Sequence, residues 1–286
     1  MLHRLANANC NLEGFRSLAH LASATEELVE SSLELSFASL PAFDAQMAAP
    51  LGAILARIAD RNNSISIVDV PWGPLENLSQ NGFLTAFGFG MPAIISGTTL
   101  PYTRIATSDG SQFYDYLDTH LLGKGLPEMT SEFSLLLKQS LGEVFVNTET
   151  HSDSQLGVFV CGQFHPVQQR LHVSIADAGI TIPERVKRRF AASLQPISAL
   201  RWALAKGNTT KEDTPGGLGL KQLQEFVFRN EGAVQIASGK ACLHFAAGTA
   251  QFNEFEHPFP GTVVAIEVNT ARWHLLPRPV ASPSII

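Results

Sequence analysis

The chain has 286 residues, enough for one large or two ordinary domains at roughly 100 to 200 residues each. Its 20 Lys and Arg against 26 Asp and Glu give a formal charge of −6, with no run of five or six like charges, which excludes an electrostatic nucleic-acid binder and a polybasic membrane contact. Charged residues make up 16% and apolar ones 45%, against roughly 25% charged in an average soluble domain, so apolar surface is expected to be buried against a partner or a second copy.

From the N-terminus, residues 1–14 carry Asn7, Asn9, Asn11 and Glu13 where a secretory leader needs an apolar stretch, so no export is expected. Residues 17–31 space Leu18, Leu21, Leu28 and Val29 at helical intervals, and Ser23-Ala-Thr-Glu26 has the form of a capping box, which predicts a leading helical segment over 1–31. Residues 33–37 alternate as a strand, 41–59 form an amphipathic helix (Met47, Leu51, Ile54, Leu55, Ile58), and 64–70 alternate again as SISIVDV. A helix over 75–87 and an extended segment over 94–105 complete a small α/β domain at 32–125, bounded by Gly123-Lys-Gly-Leu-Pro127. The longest apolar run, 83–96, is broken by Thr85, Gly88, Gly90 and Pro92 and is too short to span a bilayer.

The second half, 126–271, opens with Thr130 or Ser131 capping a helix to about residue 151, with Phe133, Leu136, Leu137, Leu141, Val144 and Phe145 on its apolar face. Strands are predicted at 157–164 and 170–177 around a hairpin loop, then a helical stretch opened by Pro183. A glycine cluster at 216–219, a helix over 221–230 and strands at 233–238, 241–246 and 262–268 follow. Residues 272–286, with Pro277, Pro279 and Pro283, form an extended tail. Cys10, Cys161 and Cys242 are odd in number and far apart, which fits neither a disulfide framework nor paired zinc ligands and points to a reducing, cytoplasmic setting.

Three motifs recur in order. Glu143, Asn147 and His151 are spaced by four and share one side of their helix, opposite much of the apolar stripe. That side is either a plain solvated face or a site in which the Asn147 amide oxygen ligates Mg²⁺ and Glu143 accepts a proton. Asp177-Ala-Gly179 is either a strand-ending turn or an adenine contact, the carboxylate accepting from an exocyclic amine and the glycine admitting the ring. Gly216, Gly217 and Gly219 before a helix are either a flexible turn or a phosphate cradle, with Thr209, Thr210 and Lys211 as nearby donors. The Arg185, Lys187, Arg188 and Arg189 group is either a solvated helix face or within reach of phosphates.

The order E-x3-N, D-x-G, G-G-L-G-L and a closing strand begun by Gly261-Thr262 resembles the histidine-kinase-like ATPase domain (GHKL domain, Bergerat fold) over roughly residues 129–270. It looks most like the anti-sigma-factor serine kinases, in which a histidine often follows the asparagine by four residues, as His151 does. The resemblance implies ATP and Mg²⁺ as cofactors, Glu143 as base, Asn147 as metal ligand, Asp177 and Gly179 as adenine contacts, Gly216, Gly217 and Gly219 as phosphate loop, and Thr262 near the adenine. Thr181 stands where a second glycine of D-x-G-x-G belongs, and Pro215 where G-x-G-x-G begins. In the first half, the helix after SISIVDV and the Asn81-Gly-Phe-Leu84 ending resemble a STAS domain. The fold expected is therefore α/β, a small STAS-like domain followed by a Bergerat sandwich with a mixed, mostly antiparallel sheet. The function expected is a nucleotide-gated interaction switch, with serine/threonine kinase activity toward a STAS-like or other signalling partner as its extension and a homodimer as a further assembly. The alternatives are an ATPase clamp driving dimerisation and a non-catalytic STAS-like module with a decayed nucleotide site.

Overall fold

A computed structural model describes residues 1–88, 97–121, 126, 128–190, 194–205 and 219–272. The chain begins as alternating strands and helices: β1 (Leu2–Arg4), α1 (Leu12–Ala24), β2 (Ser32–Ser36), α2 (Ala48–Ala59) and β3 (Ser64–Val68). Helical crossovers let successive strands run the same way, and the three form a parallel sheet in the order β1-β2-β3.

The first helix starts earlier than its apolar spacing predicts. The Asn11 side chain accepts from the Gly14 N–H at 3.0 Å and opens α1, and the Thr25 hydroxyl closes it by donating to the Leu21 carbonyl at 2.8 Å. Ser23 and Glu26 therefore mark the helix end, not its start. The single helix expected over 75–87 is two, α3 (Trp72–Gln80) and α4 (Phe83–Ala86). Gly82 breaks it at φ 80°, and the buried Asn81 side chain fixes the break by accepting from the Phe83 N–H and donating to the Ala45 carbonyl.

The next strand, β4 (Thr99–Ile105), does not stay with the first half. It pairs antiparallel with β5 (Val158–His165) in a second, five-stranded sheet completed by β6 (Arg170–Asp177), β7 (Ala233–Ala246) and β8 (Thr249–Asn269), in the order β4-β5-β6-β8-β7. The helix α5 (Gly110–Leu121) follows it, stacking Phe113 on Phe145 of α6 (Ser131–His151) at 4.6 Å. Sheet membership thus divides the chain before Thr99, whereas the Gly- and Pro-marked boundary at 123–127 falls largely outside the described residues. Every pair in the second sheet is antiparallel, so the two pairing senses expected within one sheet are segregated into two. The strands expected at 233–238 and 241–246 are one strand, β7, whose register shifts around Gly239 at φ 57°. Three more helices, α7 (Ile182–Phe190), α8 (Pro196–Leu204) and α9 (Gly219–Asn230), complete the chain. Of the expected tail, residues 273–286 lie outside the described residues.

Both faces of the antiparallel sheet are covered. Leu171, Val173 and Ile175 of β6 pack in one core with Leu137 and Leu141 of α6 and Leu223 and Val227 of α9. Phe159, Cys161, Ala176 and Val263 on the opposite face share a second core with Phe15 of α1 and Leu51, Ile54 and Leu55 of α2. An antiparallel sheet often leaves one face to water and alternates accordingly; here double coverage explains the continuous apolar runs at 158–161 in β5 and 263–266 in β8. Among the described residues no helix is long and apolar enough to cross a membrane.

Candidate functional site

The site is built where the end of α6 meets the end of β6. Thr130 caps α6, its hydroxyl oxygen accepting from the Phe133 N–H at 3.2 Å. Further along, Gly142 lies where a Cβ would come within 2.2 Å of the Tyr114 hydroxyl, so its lack of a side chain lets α5 pack closely. Glu143 and Asn147 follow one turn apart, both half-buried, and neither side chain has a hydrogen-bond or ion-pair partner among the described residues. From Asn147 to Ser152, the residue that ends α6, the helix rises about 7.5 Å.

Ser152 ties this helix to the Asp177 turn. Its carbonyl accepts from the Ile180 N–H at 2.5 Å, and a Cβ on Gly179 would lie 2.1 Å from that same carbonyl oxygen. Only glycine fits there. Asp177, the last residue of β6, is 2% exposed, and its Oδ1 accepts from the Gly179 N–H at 2.8 Å. The Thr262 N–H donates to the same carboxyl. Burial dominates these two donors and pushes the Asp177 carboxyl up to about 7.

Strand register sets Asp177 opposite Thr262 and Thr262 opposite Ser238, one polar row running from the end of β6 across the middle of β8 and β7. Alternation places this row on the α6 side, with Ile175, Val264 and Ile236. The fully buried Ser238 hydroxyl donates to the Gly261 carbonyl at 3.0 Å, lies 2.8 Å from the Thr262 hydroxyl, and accepts from the Ile182 N–H at the start of α7. Gly261 has φ 75°, and a Cβ on it would lie 2.2 Å from the Asp177 carbonyl oxygen. Sequence reasoning missed Ser238 and Ser152. Ser238's one signal in the sequence is its place immediately before Gly239 within a strand-forming stretch.

The fold therefore brings Asp177, Gly179 and Thr262 into one cluster, with Glu143 and Asn147 on the helix whose end that cluster clamps. Gly219 is the first residue of α9; Gly216 and Gly217 lie outside the described residues, as do Thr209, Thr210, Lys211 and Pro215. The basic group on α7 is engaged: Arg185 pairs with Asp153 at 2.9 Å, and Glu184 takes Arg188 at 3.2 Å and Lys187 at 3.9 Å. Burial raises all three cysteine thiols to about 12, so they stay protonated and are poor nucleophiles. Among the described residues no three His, Cys, Asp or Glu side chains are arranged to hold a metal ion.

In comparison with known proteins, neither a family model nor a curated sequence matches this chain.

Proposed function

We propose that the protein is an ATP- and Mg²⁺-binding regulator of the histidine-kinase-like ATPase type, whose nucleotide occupancy controls a protein interface. The observation that carries this reading is the pairing of a buried carboxyl at a strand end with a clamped helix bearing two polar side chains, Glu143 and Asn147, that have no partner among the described residues. Asp177 has lone pairs left for an exocyclic amine after accepting from Gly179 and Thr262. Asn147 supplies an amide oxygen of the kind Mg²⁺ takes alongside phosphates and waters, and Glu143 sits one turn away as the acceptor of a proton. Bound Mg²⁺ supplies charge neutralisation of the phosphates. Gly179 and Gly261 keep the backbone around the carboxyl free of side chains. The reading extends to phosphotransfer toward a STAS-like or other signalling partner.

Calorimetric titration of the full chain with ATP and a non-hydrolysable analogue, with and without Mg²⁺, tests it, with phosphate release followed on the same sample. Metal-dependent binding is expected. Asn147→Ala is expected to weaken the Mg²⁺-dependent component at least about tenfold, and Glu143→Ala to keep binding while removing turnover. Asp177→Asn is expected to lower the preference for adenine over guanine nucleotides. Failure of ATP to bind, or unchanged Mg²⁺ dependence in Asn147→Ala, overturns the assignment.

A further inference from the structure

The two sheets present four outer edges, and three of them carry features that discourage pairing with another chain. On β4, Pro101 lacks an N–H and the register shifts between Leu100 and Thr103. On β7, the ladder is irregular around Gly239, beside the exposed Lys240. On β1, only three residues are extended and the strand ends in Arg4. The fourth edge, β3, has none of these: Ser-Ile-Ser-Ile-Val contains no charge and no proline, and it pairs with β2 in five consecutive positions without a bulge.

The free groups on this edge can be identified. The Ser64 N–H donates to Ser31 and the Val68 carbonyl accepts from Phe37, so residues 64, 66 and 68 turn their backbone groups toward β2. Ile65 and Ile67 consequently turn N–H and C=O outward, and neither has a backbone partner among the described residues.

We propose that β3 is the seam of a two-fold dimer, pairing antiparallel with β3 of a second copy about Ser66. In that register Ile65 of each copy faces Ile67 of the other, and the two pairs exchange four N–H···O bonds that satisfy every outward group. Ser66 faces Ser66, Ser64 faces Val68, and Asp69 faces Asn63, so no like charges meet across the seam. A parallel, in-register pairing would set Asp69 against Asp69, and electrostatics therefore favour the antiparallel copy. The contact is self-complementary, as a two-fold interface requires, and joins two three-stranded sheets into one of six. Trp72, 76% exposed at the start of α3, stands four residues past the strand at each end of the seam.

Light scattering and sedimentation of the full chain over a range of concentrations test this, together with hydrogen exchange at the Ile65 and Ile67 amides. The wild type is expected to dimerise, with protection of those two amides rising with concentration. Ser66→Lys sets two ammonium groups against each other on an exposed face and leaves the backbone unchanged; it is expected to weaken dimerisation at least about tenfold with unaltered circular dichroism. Ser66→Thr is expected to dimerise as the wild type does. A wild type that stays monomeric at every concentration overturns the proposal. So does a dimer that Ser66→Lys leaves intact, or one in which the Ile65 and Ile67 amides exchange freely.

Discussion

Asp177 carries a cost that its surroundings only partly offset. Its carboxyl ionises near an ordinary 3.8 in the unfolded chain but near 7 in the folded one. The folded state therefore loses stability as pH rises from about 4 to 7, by up to about 4 kcal/mol at roughly 1.4 kcal/mol per unit. Asp177→Asn removes this dependence, so the melting temperature of the variant relative to wild type is expected to be higher at pH 8 than at pH 5. An equal difference at both pH values would contradict the burial argument. Beside it, Gly261→Ala forces a Cβ into the Asp177 carbonyl from a backbone with positive φ. A loss of about 2 kcal/mol or more is expected in denaturant unfolding. At this scale the strand-ending turn at Asp177 and Gly179 is legible in the sequence because its spacing is local. Ser238 is not, since its role follows from strand register between residues 24 positions apart.

At the scale of elements, α6 shows what sequence periodicity can and cannot fix. Its cap, its apolar face and its end near His151 all follow from Thr130 and the spacing of Phe133, Leu137, Leu141 and Phe145. Thr130→Ala removes the acceptor for the Phe133 N–H and is expected to cost about 1 kcal/mol in thermal or denaturant unfolding. The helix α1 was displaced because Ser-x-x-Glu is a local pattern with no direction of its own. Asn11 and Thr25 decide the matter through bonds to Gly14 and Leu21. Likewise β4 pairs with a strand more than fifty residues later, and nothing in the composition of 94–105 names its partner. Gly82 and Gly239 are visible as glycines, yet only the backbone shows that the first ends a helix while the second bends a continuing strand.

For the whole molecule, the shared core makes the two halves interdependent. His3, His165 and His172 are pushed below the ordinary 6.5, chiefly by burial. The fold disfavours the protonated form of each, whereas the unfolded chain takes up protons below the ordinary 6.5. Their contribution is complete above that value and is lost as pH falls through it. In an Asp177→Asn background, where the opposing carboxyl dependence is absent, the melting temperature is expected to fall between pH 7 and pH 5, and replacing all three histidines by Gln is expected to shrink that fall; an unchanged fall would assign the acid sensitivity elsewhere. The mixture of helix and strand was legible from apolar periodicity. The docking of the first half onto the second sheet was not, because long apolar runs such as 158–161 identify buried strands without saying what lies on each face. That double coverage also restricts how the chain can change in length. Along β6, Leu171, Val173 and Ile175 serve the helix side while His172, Ser174 and Ala176 face the first half. Inserting or deleting one residue within this strand would exchange the two sets and present an imidazole and a hydroxyl to a core of leucine and phenylalanine. The strand can therefore gain or lose residues only in pairs, and single-residue insertions in β6 should be selected against far more strongly than double ones.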